Sequence, residues 1–398
     1  MATIRKRGNT YQIRVSCGYD TSGNQVVQTM TWKPAEGMTP KQVEKELNRQ
    51  AVMFEEVCMN GFVNNSMKFE DFAKQWFEEY AKTKLKTQTI RNYHTCEKRV
   101  YEAIGHLRMD KITPRTIQKF INDLSNVKRY TNDGKERPPL ASKTIRNYIS
   151  FISTVFDYAL KMQLSTANPC KNVILPSKKV KEREVYSLEE VQKMLDLFEN
   201  ESESHYKYTM FFTLAAFTGL RRGELLGLEW KDVDWENSLL SVVRTSEYTK
   251  EKGTYTDTPK TKSSVRMIKL PPELMQKLRE FQTWQNGCKT MLGTKWVDHD
   301  RLFTNDFGYP MYPQLPYEYF KGFCKRTGMR FVNVHSFRHF NASILISSGV
   351  DVKTVQCCLG HSNATTTLNV YAHSFQEAQA KAMDCVASCI LQSNNNGK

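Results

Sequence analysis

Apolar residues recur along this chain in changing rhythms, and the changes divide it into three sections. From Tyr11 to Cys17 and again from Gln25 to Trp32 they alternate with polar residues, the two-residue period of a half-buried strand, with turn formers from Asp20 to Asn24 between them. Thr39-Pro40-Lys41-Gln42 then predicts a helix start: a hydroxyl cap, a proline in the first turn and a glutamine that returns the bond. The rhythm lengthens to three or four residues from Met67 to about Lys179. Phe69, Phe72, Trp76, Phe77 and Tyr80 form one helical stripe, Ile117, Phe120, Ile121 and Leu124 a second behind Thr113-Pro114. Ile145, Tyr148, Ile149, Ile152 and Phe156 form a third behind Ser142. The string Thr-Ile-Arg-Asn-Tyr occurs twice, at Thr89–Tyr93 and Thr144–Tyr148, and reads as two helices with similar starts rather than as a duplication. Between two of these helices, the polar stretch Lys128–Ser142 carries Gly and Pro and predicts an open loop.

The third section begins after the cationic connection Leu175–Arg183. Ser187-Leu188-Glu189-Glu190 is a capping box and opens helices that run to Trp230. Within them, Thr218–Trp230 predicts the end of one helix, a glycine turn, and an amphipathic helix with Leu225, Leu226 and Leu228 inward. Strands are expected over Ser241–Tyr248 and Val265–Leu270, and helices again from His335. A second box, Ser374–Glu377, opens a last helix to about Gln392. Its apolar stripe of Phe375, Ala378, Ala382, Val386 and Cys389 has to be covered either by its own domain or by a neighbouring subunit. The resulting fold class is multidomain α+β: a small β-rich section (1–62), an all-helical one (67–179) and a mainly helical one with a small sheet (183–398).

Charge adds a partner. The 57 lysines and arginines against 42 aspartates and glutamates leave a formal +15, an electrostatic footprint for polyanions shared by nucleic-acid enzymes, ribosomal proteins and membrane-surface proteins. No run of about 18 apolar residues can span a membrane, and the start MATIRKRGNTYQ has no apolar signal core, so a cytoplasmic location is expected. The ten cysteines form no Cys-x-x-Cys pair and no carboxylate cluster is evident, so neither a metal nor another cofactor is expected.

The candidate chemistry lies in Thr218–Leu225 (TGLRRGEL), Pro259–Arg266 (PKTKSSVR), His335–His339 (HSFRH) and Leu359–Tyr371 (LGHSNATTTLNVY). Two guanidiniums, Arg221 and Arg338, suit a bidentate clamp on phosphate oxygens. Lysine brought down in pKa by burial among cations can protonate a departing oxygen, and Lys260 or Lys262 is placed for it. His335 and His361 offer one donor and one acceptor each, and Tyr371 a phenol that neighbours must activate as a nucleophile. Glu224, one helical turn beyond Arg221, can pair with an arginine.

In order and spacing this set resembles the tyrosine recombinases, the phage-integrase family. The resemblance implies that Tyr371 forms a 3′-phosphotyrosine, reversed by a 5′ hydroxyl of another strand without ATP or metal. It implies Arg221 rather than Arg222 as the first arginine, and the pattern Lys-Thr-x-x-Ser-x-Arg favours Lys260 over Lys262. It further implies strand exchange through a Holliday junction that integrates and excises a mobile element, as in integrases of conjugative transposons. Residues 1–62 then correspond to an arm-type DNA-binding domain that lays a three-stranded sheet into the major groove, 67–179 to the core-binding domain and 183–398 to the catalytic domain. The implied partners are double-stranded DNA at core and arm sites, an excisionase, a host DNA-bending protein and three further copies in a tetramer. HSFRH departs from the family's usual residues at Ser336 and Phe337, which leaves the His and Arg roles untouched. A type IB topoisomerase has the same chemistry without pairing sites, and a non-catalytic regulator has the charge without needing all six residues. No serine has the arginine context of a serine recombinase.

Overall fold

A computed structural model describes residues 2–19, 25–59, 67–131, 133–177, 184–259 and 264–360, together with Met383 and Ala387. The chain divides into two compact units, 1–181 and 182–398.

The first unit opens with an antiparallel sheet in the order β1-β2-β3 (Thr3–Arg7, Thr10–Tyr19, Gln25–Trp32), followed by α1 (Pro40–Met59). Strand β1 was not foreseen from the alternation: its residues TIRKR carry one apolar side chain and are exposed at every position. It forms because β2 supplies the partner, with Ile4 opposite Ile13. Ile13 and Val15 pack under Leu47, Ala51, Phe54 and Cys58 to make a small separate core. The start of α1 is capped reciprocally, the Thr39 N–H donating to Gln42 Oε1 at 2.8 Å and the Gln42 N–H to Thr39 Oγ1 at 3.4 Å.

Helices follow: α2 (Phe69–Trp76), a π-helical turn (Phe77–Ala81), α3 (Lys82–Lys84), α4 (Thr87–Val100) with a second π turn (Tyr101–Gly105), α5 (Pro114–Asn126) and α6 (Ser142–Lys161). The three stripes meet in one core where Phe69, Trp76, Ile117, Phe151, Ile152 and Phe156 are fully buried, each such side chain stabilising by roughly 1.5–3 kcal/mol. The two Thr-Ile-Arg-Asn-Tyr strings begin at the third residue of α4 and of α6, as two helices with similar starts require. The stretch Lys128–Ser142 is less open than its composition suggests. Strands β4 (Arg129–Tyr130) and β5 (Glu136–Arg137) pair antiparallel around Gly134, whose φ of +76° allows the chain to reverse.

The second unit holds α7 (Leu188–Glu199), α8 (Tyr206–Thr218) and α9 (Arg222–Gly227), then β6 (Val233–Asp234), β7 (Leu239–Val242), β8 (Thr245–Thr249), β9 (Gly253–Asp257) and β10 (Arg266–Lys269). Helices α10 (Pro272–Leu292), α11 (Leu315–Thr327), α12 (Ser336–Ser347) and α13 (Val352–Leu359) complete it. The capping box at Ser187 forms, with Glu190 accepting the Ser187 N–H at 2.8 Å and Ser187 Oγ accepting the Glu190 N–H at 3.2 Å. Helix α8 is buried on nearly every side at the centre of the core, Phe212 stacking on Phe198 at 5.0 Å and packing on Phe320 and Phe337. The expected strand Ser241–Tyr248 is instead two. The chain breaks at Val243–Arg244, where Arg244 turns in to pair with Asp232 and Glu229; β7 joins β10 and β6, while β8 forms a hairpin with the largely polar β9. Among the described residues no helix is long and apolar enough to cross a membrane.

Candidate active site

Helix α8 ends where the sequence TGLRR requires it to. Gly219 caps the helix in the left-handed conformation, φ +61°, and a Cβ there would lie 2.6 Å from Leu359 Cδ2 and 2.8 Å from Asn341 Oδ1. Asn341 of α12 donates to the carbonyls of Ala216 and Phe217 at 3.1 and 2.9 Å, so the end of α8 is held by α12 while α13 packs against its cap. Two residues on, Arg221 has extended backbone and caps the short α9. Helix α9 lies close to β8, since a Cβ on Gly223 would come within 2.4 Å of Thr245 Oγ1.

Glu224 is the hub of this corner. It is buried, and its Oε1 accepts from Arg221 Nη1 at 2.6 Å. Its Oε2 accepts from the Arg221 N–H and from Arg266 Nη2, each at 3.0 Å. Burial by itself raises the Glu224 carboxyl, but the Arg266 guanidinium, with Arg221 beside it, outweighs burial and holds it below the ordinary value. The carboxylate is therefore ionised at neutral pH, between two permanent cations.

Three arginine forks then converge on three successive carbonyls at the C-terminal end of α13. Arg266 Nε donates to Cys358 O at 2.8 Å, Arg338 Nη2 to Leu359 O at 2.6 Å, and Arg221 Nη2 to Gly360 O at 2.9 Å. Arg338 is almost wholly buried and also reaches Gly219 O at 2.9 Å. Carbonyls at a helix C-terminus carry partial negative charge, which cations satisfy. His335 sits exposed at the residue before α12, its ring 4.8 Å from that of His339. Arg222 points to solvent.

The structure thus brings Arg221 and Arg338 to one place, with His335 at the head of the helix that carries Arg338. Lys260, Lys262, His361 and Tyr371 lie outside the described residues, as does the stripe from Phe375 to Cys389; the described chain stops at Pro259 before the lysines and at Gly360 before the histidine. Sequence reasoning used Arg266 only as part of a pattern that singled out Lys260. Its place at the end of that pattern, two after Ser264, was a signal that went unread. Gly219 was read as the turn that ends the helix, whereas Asn341 gave no signal, being an ordinary letter until the packing is seen. Among the described residues no three or more His, Cys, Asp or Glu side chains group together.

The Phage integrase family pattern matches residues 184–378, the part that holds all four motifs, and the N-terminal SAM-like domain of phage integrases matches residues 68–125. The chain belongs to the phage integrase family. Relatives extend over nearly its whole length. A tyrosine recombinase XerC-like protein of Caldanaerobacter subterraneus subsp. tengcongensis is 28% identical over 396 residues, covering 94% of this chain and 95% of that protein. The ICEBs1 integrase of Bacillus subtilis is 25% identical over 385 residues, covering 96% and 98%. Among solved structures, the Tn1549 transposon integrase in complex with transposon right end DNA superimposes with a TM-score of 0.65 at 22% identity, over 81% of this chain and all of that one. A lambda integrase tetramer bound to a Holliday junction superimposes with a TM-score of 0.51 at 17% identity, over 92% and 94%. At those identities the likeness is one of fold. As a member of this family the protein is a tyrosine recombinase, a site-specific enzyme that cuts and rejoins DNA strands in the integration and excision of mobile elements.

Proposed function

We propose that Arg221, Lys260, His335, Arg338, His361 and Tyr371 form the catalytic set. The observation that supports this most directly is the meeting of Arg221 and Arg338 on the Leu359 and Gly360 carbonyls, immediately before His361 in sequence. Two forks that reach adjacent acceptors are spaced to take two non-bridging oxygens of one phosphate. In the reaction, Tyr371 Oη forms a bond to phosphorus and the bond to the 5′ oxygen breaks. The phenol proton passes to a neutral imidazole, for which His335 and His361 are the candidates, and Lys260 delivers a proton to the departing 5′ oxygen. The two arginines hold the charge that grows on the non-bridging oxygens. The 3′-phosphotyrosine keeps the bond energy, so a 5′ hydroxyl from the partner duplex reverses the step. Glu224 fixes Arg221 through Nη1, and Nη2, which donates to Gly360 O, has a second hydrogen to offer a phosphate.

The domain assignment is part of the same reading: arm-type DNA binding for 1–62, core binding for 67–179 and catalysis for 183–398. The exposed, basic β1 with Arg5, Lys6 and Arg7 on a three-stranded sheet supports the first of these. The working assembly is a homotetramer on paired core sites in the cytoplasm, with an excisionase and a host DNA-bending protein as accessory partners. The helix that the box Ser374–Glu377 predicts after Tyr371 is the segment that docks on the neighbouring subunit. The element is of the conjugative-transposon type, which the ICEBs1 relative supports.

A suicide DNA substrate on a denaturing gel tests the chemistry. Wild type gives a covalent protein–DNA adduct on its own core site, and Tyr371→Phe binds that site and gives none. Adduct persisting in Tyr371→Phe moves the nucleophile elsewhere. Adduct on any plain plasmid marks a topoisomerase instead. A chain starting at Met67 is expected to cleave core sites and lose arm-repeat binding; unaltered arm binding makes residues 1–62 a structural cap.

A further inference from the structure

Arg266 lies outside the catalytic set proposed above, yet it bonds to three separate pieces of chain that lead to that set. Its side chain is only 8% exposed, although it begins an outer strand of the small sheet. Three guanidinium nitrogens are engaged separately: Nε with Cys358 O at 2.8 Å, Nη1 with Ser264 O at 3.0 Å, and Nη2 with Glu224 Oε2 at 3.0 Å. These acceptors belong to the end of α13, which runs on to His361; to the far end of the segment that carries Lys260; and to the carboxylate that grips Arg221. No single ammonium reaches in three such directions, because lysine presents its donors from one point.

Charge gives the arrangement its second meaning. Glu224 carries one negative charge in a buried corner, and Arg221 lies against it at 2.6 Å. If these two were alone, each would cancel the other and the fork would face an incoming phosphate with little net attraction. Arg266 restores one unit of positive charge to the corner, and by sharing Glu224 Oε2 it loosens the claim of the carboxylate on Arg221. With Glu224 and Arg266 both nearly buried, such a difference counts for more than in bulk solution.

On the reading that Arg221 clamps the phosphate, we infer that Arg266 is a positioning residue of the recombinase. It balances Glu224 so that Arg221 stays available to the phosphate, and it pins the end of α13 and the start of β10 to the same carboxylate, which sets the two chain segments bearing His361 and Lys260. It does not itself touch the reacting atoms.

The test uses the full chain, a radiolabelled suicide core site, single-turnover adduct formation at saturating protein, half-site affinity and thermal melting. Arg266→Met is expected to slow adduct formation on the order of 100-fold, the cost of a lost electrostatic donor. Its half-site affinity should change by less than about 3-fold, since many phosphate contacts spread over the DNA set that affinity. Arg266→Lys keeps the charge and loses the fork, and should be slowed about 10-fold. Adding Glu224→Gln to Arg266→Met removes the unbalanced charge and should recover about 5-fold of the rate or more, a rescue that a purely structural role does not produce. If Arg266→Met does not fold, Arg266→Gln, which also removes the charge, alone and combined with Glu224→Gln decides by the same criteria. The inference is overturned if both single variants cleave within about 3-fold of wild type, if rate, affinity and melting temperature fall together, or if Glu224→Gln gives no recovery. Arg221→Lys is run beside them: cleavage unaffected there overturns the assignment of Arg221 itself, whereas a dead Arg221→Lys with an active Arg266→Lys and Arg266→Met overturns only the inference drawn from Arg266.

Discussion

The helical part of the first unit and the second unit are both built mainly from helices, but they fill their interiors differently. Among the described residues of the first unit, Asn168 is the one buried polar side chain; the second unit buries Glu224, Asp232, Gln285, Arg301, Ser336 and Arg338, besides several threonines and serines. The helical core works by shape. Its aromatic and aliphatic stripes need only be excluded from water, and a neighbour of similar volume serves almost as well. The core of the second unit has another task, since helix ends, a hairpin and a permanent charge must be held at fixed positions. Arg301 shows the method: it reaches the carbonyls of Leu226 and Gly227 at the end of α9 and the hydroxyl of Thr256 in β9, so one buried cation ties hairpin to helix. Such bonds have direction and do not survive a change of donor.

That contrast is sharpest in activity. Arg338→Lys keeps the positive charge but cannot hold Gly219 O and Leu359 O and also face a phosphate. Adduct formation is expected to fall about 100- to 1000-fold while DNA affinity is nearly retained, as read by suicide-substrate kinetics beside a binding titration. In stability the same contrast appears between two conservative changes. Arg301→Lys gives up several hydrogen bonds from a charged group and is expected to cost about 3 kcal/mol, against about 1 kcal/mol for Ile152→Val in the helical core. Urea unfolding of each unit, followed by domain-specific fluorescence, measures both; equal costs would break the comparison.

Acid should separate the units next. The Glu224 carboxyl is held below its ordinary value of 4.5 chiefly by Arg266, against the opposing effect of burial. Its contribution to stability is therefore complete above the unfolded value and is lost as pH falls through the lower folded one. The urea midpoint of the second unit should drop below about pH 4.5 more steeply in wild type than in Glu224→Gln. The smallest effect is one in which the units should agree. Thr113→Ala and Ser187→Ala each remove a side-chain cap and should each cost about 1 kcal/mol, whichever core lies behind the helix.

What could be read in advance follows the same division. Stripes such as Phe69–Tyr80 and Ile145–Phe156 are legible because burial acts on each residue independently of what faces it. The boxes at Thr39 and Ser187 are legible because donor and acceptor lie within four residues. Strand β1 was not, because its partner rather than its own composition makes it a strand, and the break at Val243–Arg244 was not, because the carboxylates that draw Arg244 inward are distant in sequence from β8. Arg221 and Arg338 were singled out by their motifs; Arg266 was overlooked because two of its three acceptors, Glu224 and Cys358, lie far from it in sequence.

Gly219 carries a last consequence, for how such sequences drift. Its positive φ strains most side chains, and a Cβ there would have to push back Leu359 Cδ2 and Asn341 Oδ1, whether or not the enzyme has any DNA to cut. Arg221, by contrast, has ordinary extended backbone that any residue adopts. A descendant of this protein that had lost catalysis and survived as a mere binder would shed the arginine and still spell Thr-Gly-Leu at the end of α8, so the letters that look most like an enzyme's signature would outlive the enzyme.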